Sequence, residues 1–366
     1  MARAPQGRHE RARLAWLSLW HAHRGRTLFR GPAVPPSDST PHVAATSADL
    51  PALDVFVRDA MARQSALPLP GHGDTLRRWR HLADIAAQDV CGIKVLEAHY
   101  DALAILDELG AAERALDGAL LHAVWAAEPP DARLTFTPGA DGIGTLDGLK
   151  AWCSGADLVD AALVTAHHGD ARVLVQIMRD APGITPVPGH WQAVGMARVD
   201  SGRLAFENVA AVQIGAAGDY LARPGFWHGG GGIAACWFGA ATAIAETLRR
   251  HARAAHSPHA MAHLGAIDMA LSAAASLLRD TAAVIDLEPD APHATAITRV
   301  RSVVERAASD VIDRVGRALG PGPLCEDAAH AQRCADLTTF LRQSHAERDW
   351  ADLGAAAQGR DATWRL

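Results

Sequence analysis

Apolar positions along this chain change their spacing twice. Over residues 50–64, Leu53, Phe56, Val57 and Ala60 recur at the helical period, which predicts a first helix. The stretch Pro68 to Gly73 breaks it. Asp74 or Thr75 then caps a second helical stretch carrying Leu76, Trp79, Leu82, Ile85 and Ala86. Its pattern persists through Val90, Ile93 and Leu96 and ends near Gly110. From Leu121 the pattern shortens to alternating runs rich in Gly, Pro, Val and Thr. Strands are expected at 121–126, 133–137, 143–150, 160–166, 173–178, 184–186 and 203–207. Turn signals such as Pro138-Gly139, Asp141-Gly142, Pro182-Gly183 and Ser201-Gly202 separate them. From Pro224 the helical period returns. Four long helices are expected, at about 229–254, 259–285, 293–318 and 327–352. Their breaks fall at Ser257-Pro258, Glu288-Pro289 and Gly320-Pro321.

This order predicts an α+β fold in three parts. An N-terminal α-helical domain spans 46–120, a central antiparallel β-barrel or sandwich 121–224, and an antiparallel four-helix bundle 225–356, with a tail at 357–366. Residues 1–45 read differently. The first 30 hold seven Arg and one Glu, and Pro and Ser cluster through Pro32 to Ser37. A disordered extension is expected there. An Arg-rich, acid-poor start also fits a transit segment, but it lacks the apolar region of a secretory signal.

Composition narrows the function classes. Of 366 residues, 49% are hydrophobic and 21% charged, the balance of a soluble globular protein. The net charge of −6 leaves no global basic surface for nucleic acid. No apolar run approaches ~18 residues without a charge or Gly, so no membrane span is expected. Five cysteines without a C-x-x-C pair argue against a disulfide framework and a structural metal site, which makes a cytoplasmic placement the expectation. Gly142, Gly144 and Gly148 are wrongly spaced for a dinucleotide fingerprint, so a Rossmann domain is rejected.

The chemistry concentrates in Gly142 to Ala166. Trp152 offers a flat aromatic face and Ser154 a small hydroxyl beside it. The apolar run Ala161 to Ala166, with β-branched Val164 and Thr165, reads as a half-buried strand behind them. The segment Gly148-Leu149-Lys150-Ala151-Trp152-Cys153-Ser154-Gly155-Ala156 resembles the flavin-contacting segment of acyl-CoA dehydrogenases, roughly G-x-K-x-W-(I/C)-(S/T)-(N/G)-A. Ala126-Ala127-Glu128-Pro129 stands where that family has its T-E-P loop. Trp191 to Ala197 and Ser201 to Val209 resemble its G-M-R hairpin, and Arg223 to Gly239 its hinge into the bundle. The resemblance covers about residues 70–355. It implies FAD contacted by Trp152, Cys153, Ser154, Ala127 and Glu128. It also implies an acyl-CoA or acyl-carrier thioester as substrate, an electron-transfer acceptor, and assembly as a homodimer or homotetramer. The implied reaction removes the α proton by a carboxylate and passes the β hydride to flavin N5.

The sequence departs from that pattern at the base. Aligning Asp336 on the family's Asp puts Gln343-Ser344-His345 where a Y-E-G-T loop should supply Glu, and Ala335 replaces the preceding Arg. The R-x-x-F-G motif is also absent. The candidates for proton transfer are His345, then Glu347 in the same segment, then Glu246 in the first bundle helix. An imidazole with a pKa of ~6.5 can take a proton at neutral pH and can also steer oxygen chemistry at a flavin. Three readings therefore stand: an acyl-CoA dehydrogenase, a flavin-dependent monooxygenase of the same fold, and a catalytically silent flavin-binding relative.

Overall fold

The computed structural model describes residues 51–359 and 364, except 119, 140–142 and 253. The expected extension at 1–45, the Asp141-Gly142 turn and part of the tail lie outside the described residues. Three helices open the fold: α1 (Leu53–Arg63), α2 (Thr75–Gln88) and α3 (Val90–Glu108). The second expected helical stretch is thus two helices. Asp89 ends α2 and accepts from Gly92 N at 2.9 Å, so one carboxylate stops one helix and caps the next.

Seven strands follow: β1 (His122–Trp125), β2 (Leu134–Thr137), β3 (Ile143–Lys150), β4 (Ala161–His168), β5 (Ala171–Met178), β6 (Ile184–Val187) and β7 (Arg203–Ile214). They form a closed barrel rather than a sandwich. One edge of β4 meets β1 and, at Thr135–His167, β2; its other edge meets β5. β3 joins β2 to β7, and β7 returns to β5. The pairing is not wholly antiparallel as expected, because β1 and β2 both run parallel to β4. β7 also runs past the expected end at 207. Asn208, at φ 52°, kinks the strand without ending it, and its N–H donates to Asp147 at 2.8 Å.

The chain then enters α4 (Asp219–Ala222), α5 (Gly225–Arg250), α6 (Pro258–Leu287), α7 (Ala294–Leu319), α8 (Gly322–Glu326), α9 (Ala328–Phe340) and α10 (Glu347–Gln358). Helix α5 is the core of the bundle. Its small residues admit neighbours at backbone distance: a Cβ on Gly239 would lie 2.0 Å from the Ala83 carbonyl oxygen, and one on Gly231 2.4 Å from the Trp79 ring. By length and composition α5 and α6 could each cross a membrane, though Gly or Asp interrupts both. α5 is mostly buried inside the fold, whereas α6 leaves most of its apolar surface uncovered.

The fourth expected bundle helix, 327–352, is corrected. It is α9, a 3-10 turn at Leu341–Gln343, and then α10. The break centres on Ala346, at φ 48°. Ser344 Oγ accepts from Ala346 N at 3.2 Å, and Asp349 accepts from His345 N at 3.3 Å. Side chains thus satisfy the backbone groups that a continuous helix would have paired.

Barrel and bundle are tied by Asp336, which is 3% exposed. It accepts from Met196 N at 2.5 Å, from Gln332 Nε2 at 2.7 Å and from the Cys91 thiol at 3.6 Å. Burial raises its pKa, and those donors oppose the rise.

A second buried polar pair joins α3 to the barrel. His122 N donates to His99 Nδ1 at 3.3 Å, and the two rings stack at 5.9 Å. Burial lowers their pKa values, to about 3 for His99 and about 4 for His122. Both rings are neutral in the fold and protonate once the chain unfolds at acid pH. Stability is therefore retained above the ordinary value of 6.5 and lost as pH falls toward 4, on the order of 1 kcal/mol per pH unit per ring. Urea denaturation at pH 7 and pH 5 should show a smaller pH loss in the His99→Gln, His122→Gln double variant than in the parent. Equal losses would contradict this account.

Candidate active site

The platform is built where β3 leaves the barrel. Gly148 takes φ 121° beside a bulge in the β3–β7 pairing, and a Cβ there would meet Arg133 O at 2.3 Å. Lys150 then turns inward, 2% exposed, and donates to Thr165 O and Thr165 Oγ1, both at 2.7 Å. Burial lowers its pKa to about 8, against the pull of Glu128. With Lys150 anchored, the next residues form a tight turn. Cys153 N donates to Gly202 O at 3.0 Å, Gly155 N to Asp200 O at 2.9 Å, and Trp125 Nε1 to Ser154 O at 3.2 Å. Trp152 is forced to φ 59°, a conformation costly for a bulky side chain, and its ring stands 55% exposed. Exposure of a large aromatic on a strained, well-anchored turn makes this surface a candidate for ligand binding.

That surface forms one wall of a cleft of about 840 Å³ between barrel, α3 and bundle. Trp191 stands edge-on to Trp152, with centroids 6.3 Å apart and planes at 89°. Ser154 Oγ accepts from Ser201 Oγ at 2.8 Å, which leaves its own proton free for a ligand. The facing wall comes from Thr338, Thr339 and Phe340 at the end of α9 and from Gln343 and His345 in the break after it. The third wall is a face of α3 that carries Lys94, Glu97, Ala98 and Asp101.

Of the residues picked out by sequence, Trp152, Ser154, Ala127 and His345 line this cleft. Glu128 points into an adjoining cavity of about 440 Å³ whose lining also includes Ala126, Tyr220 and His345. There it pairs with Arg172 at 2.6 Å and His167 at 3.4 Å, with Lys150 Nζ 4.0 Å away. Cys153 is 1% exposed, packs beneath the platform and does not line the cleft; burial raises its thiol pKa to about 12. Two of the candidates lie apart from the cleft. Glu246 lies on the outer face of α5, held by Arg249 at 2.6 Å and Arg250 at 2.7 Å, away from the cleft. Glu347 sits exposed in the first turn of α10, where it favours the helix end, and it lines neither cavity.

Sequence reading missed four contributors. Asp349, 8% exposed, accepts from His345 Nδ1 at 3.3 Å as well as from its backbone N–H, which leaves Nε2 as the free ring nitrogen. Glu97 lies at the inner wall with its pKa raised by burial. Asp101 and Trp191 complete the lining. The signal for Asp349 was present as an i, i+4 spacing from His345.

The chain matches no protein-family model. It is 26% identical over 234 residues to a dibenzothiophene monooxygenase from Mycolicibacterium goodii, a match covering 52% of this chain. The chain spans about half of that relative's length, 55%. Among solved structures, the dibenzothiophene monooxygenase TdsC from Paenibacillus sp. A11-2, also solved with FMN bound, superposes with a TM-score of 0.68 at 20% identity. The superposition covers 85% of this chain and 98% of that one. Butyryl-CoA dehydrogenase from Megasphaera elsdenii superposes with a TM-score of 0.70 at 16% identity, covering 83% and 88%. This chain has the acyl-CoA dehydrogenase fold. Within that fold the cleft lies where barrel, α3 and bundle meet.

Asp349→Asn keeps the size of the side chain and removes its charge. The expected outcome is a change in the tautomer balance of His345, read by nitrogen NMR of the imidazole, with a stability loss of about 1 kcal/mol. An unchanged imidazole spectrum would show that Asp349 does not hold the ring.

Proposed function

We propose that this chain is a flavin-dependent monooxygenase of the acyl-CoA dehydrogenase fold. The observation that carries this reading is the convergence of Trp152, Ser154 and His345 on one cleft, while Glu246 and Glu347 stand outside it. The similarity to a dibenzothiophene monooxygenase supports it. The residues present fit a flavin: an exposed indole face for the ring system, a serine proton for its polar edge, and a cleft of sufficient volume. When bound and reduced, a flavin supplies the electrons that activate dioxygen.

The chain's own residues would then divide the work. Trp152 and Trp191 hold flat groups, and Ser154 donates to the cofactor's polar edge. His345, oriented by Asp349, presents Nε2 to the cleft and accepts or returns a proton there. Dehydrogenation of a thioester would need a carboxylate beside the substrate's α carbon. The carboxylates that line the cleft are Glu97 and Asp101, on the inner wall beside Lys94, where an acyl chain would need hydrocarbon lining.

Assembly belongs to the same proposal. The small-residue face of α5 is used up inside the chain, so contacts between subunits fall to α6. That helix exposes Met261, Met269, Val284 and Leu287. We expect a homodimer or homotetramer in light scattering; a 38.6 kDa monomer at micromolar concentration would contradict it.

The purified protein should bind added FMN or FAD, and the reduced complex should consume oxygen. Acyl thioesters should not bleach the oxidised complex under anaerobic conditions, and bleaching would favour the dehydrogenase reading instead. Trp152→Ala should weaken flavin binding by roughly 1–3 kcal/mol, the loss of one stacking surface, with little change in melting temperature because the ring is largely exposed. Unfolding with unchanged flavin affinity in the folded fraction would assign Trp152 to the core.

A further inference from the structure

The inner wall of the cleft is polar where a hydrocarbon substrate would need it apolar. Lys94, Glu97, Ala98 and Asp101 fall at i, i+3, i+4 and i+7 on α3, so they share one helix face. Lys94 is already committed: its Nζ donates to Glu97 Oε1 at 2.6 Å and stands 6.0 Å from the centre of the Phe340 ring. Asp101 is not committed. Among the described residues neither of its oxygens accepts a hydrogen bond, and Oδ1 is buried without a donor.

The groups around Asp101 explain this. Arg223 approaches it only to 3.9 Å, because that guanidinium donates to Glu108 at 2.7 Å. Arg78, also buried nearby, donates to Pro68 O at 3.2 Å. Tyr220 stacks its ring against Arg223, with the guanidinium carbon 5.3 Å from the ring centre. On the α5 side stands Gly229, where a Cβ would lie 2.8 Å from Asp101 Oδ1, so the helix backbone closes over that oxygen without a side chain to donate to it.

We propose that Asp101, with Glu97 beside it, selects a substrate that carries a nitrogen-bound hydrogen donor, either a neutral N–H or an ammonium. This rests on the cleft being the active site and names the substrate class for it. A donor placed in the cleft at the exposed side of Asp101, whose side chain is 21% exposed, would give the carboxylate the charge-assisted hydrogen bond it lacks. A hydrocarbon or sulfide ring of the same shape would cover that carboxylate without satisfying it. The platform at Trp152 and Trp191 suits a planar ring, so the donor belongs on a compact aromatic skeleton and not at the end of a long chain.

The test is calorimetric titration of the flavin-loaded protein with three probes. Indole carries a neutral N–H, 2-phenylethylamine an ammonium, and benzothiophene has the shape of indole without a donor. At least one of the nitrogen probes should bind about tenfold or more tightly than benzothiophene. Asp101→Asn should bring that ratio below about threefold while flavin uptake stays at the parent level. Benzothiophene binding as tightly as both nitrogen probes would overturn the proposal. So would binding of none of the three, or a ratio that survives in both Asp101→Asn and Glu97→Gln. Should Asp101→Asn fail to fold, the parent's ratio still decides. Should the protein take up no flavin, the monooxygenase reading fails separately, and the same titration on the flavin-free protein still tests Asp101.

Discussion

One buried carboxylate holds the parts of this fold that must meet at the cleft. Asp336 lies on α9 of the bundle, yet its hydrogen bonds reach the barrel loop at Met196 and the thiol of Cys91 on α3. Removing a side chain that serves three elements would strand a backbone N–H and separate the surfaces that build the site. The neighbouring constraints are steric. Gly195 packs on the α9 backbone, where a Cβ would fall 2.0 Å from Ala335 O. The loop that carries Trp191 is thereby seated against the helix that leads to His345. The position of Trp191 over the platform and the approach of the His345 segment follow from this contact.

The charges around the cleft follow a simple division. Cations and acids behind the walls are paired or hydrogen-bonded, as with Lys150 under the platform and Arg223 on Glu108. Arg301 lies over the Trp237 ring at 4.8 Å and donates to Gln343 O at 3.2 Å, which fixes the break that carries His345. Among the described residues that line the cleft, Asp101 Oδ1 and Trp191 Nε1 are buried without a hydrogen-bond partner, and the His345 ring contacts Asp349 through Nδ1 alone. Their distribution on three walls, with the aromatic pair on one of them, makes the cleft the candidate site.

Much of the fold was legible in the sequence because its signals are local. The helical and alternating periods placed all seven strands and nearly every long helix. The Trp152-Cys153-Ser154 turn was legible for the same reason, since the motif occupies consecutive residues. His345 could be placed by counting from Asp336. What was not legible depends on tertiary geometry. The break at Ala346 contains no Gly or Pro; it is held by Ser344 and Asp349 side chains, so a continuous helix was the natural expectation. The stripe on α3 reads as an ordinary amphipathic face until the barrel is docked against it. Glu246 shows the converse, a plausible acid by position that the fold turns to solvent beside two arginines. The parallel pairing of β1 and β2 with β4 was equally hidden, because periodicity carries no information on strand direction.

The proposed flavin site lies between the Trp152 turn and the break after α9. The most direct measurement is a crystal structure of the protein soaked with oxidised flavin. The expected result is ring density in the cleft, against Trp152, with its polar edge at Ser154 and His345 within contact of it. An unoccupied cleft with flavin bound elsewhere, or density that leaves Trp152 and His345 untouched, would contradict it.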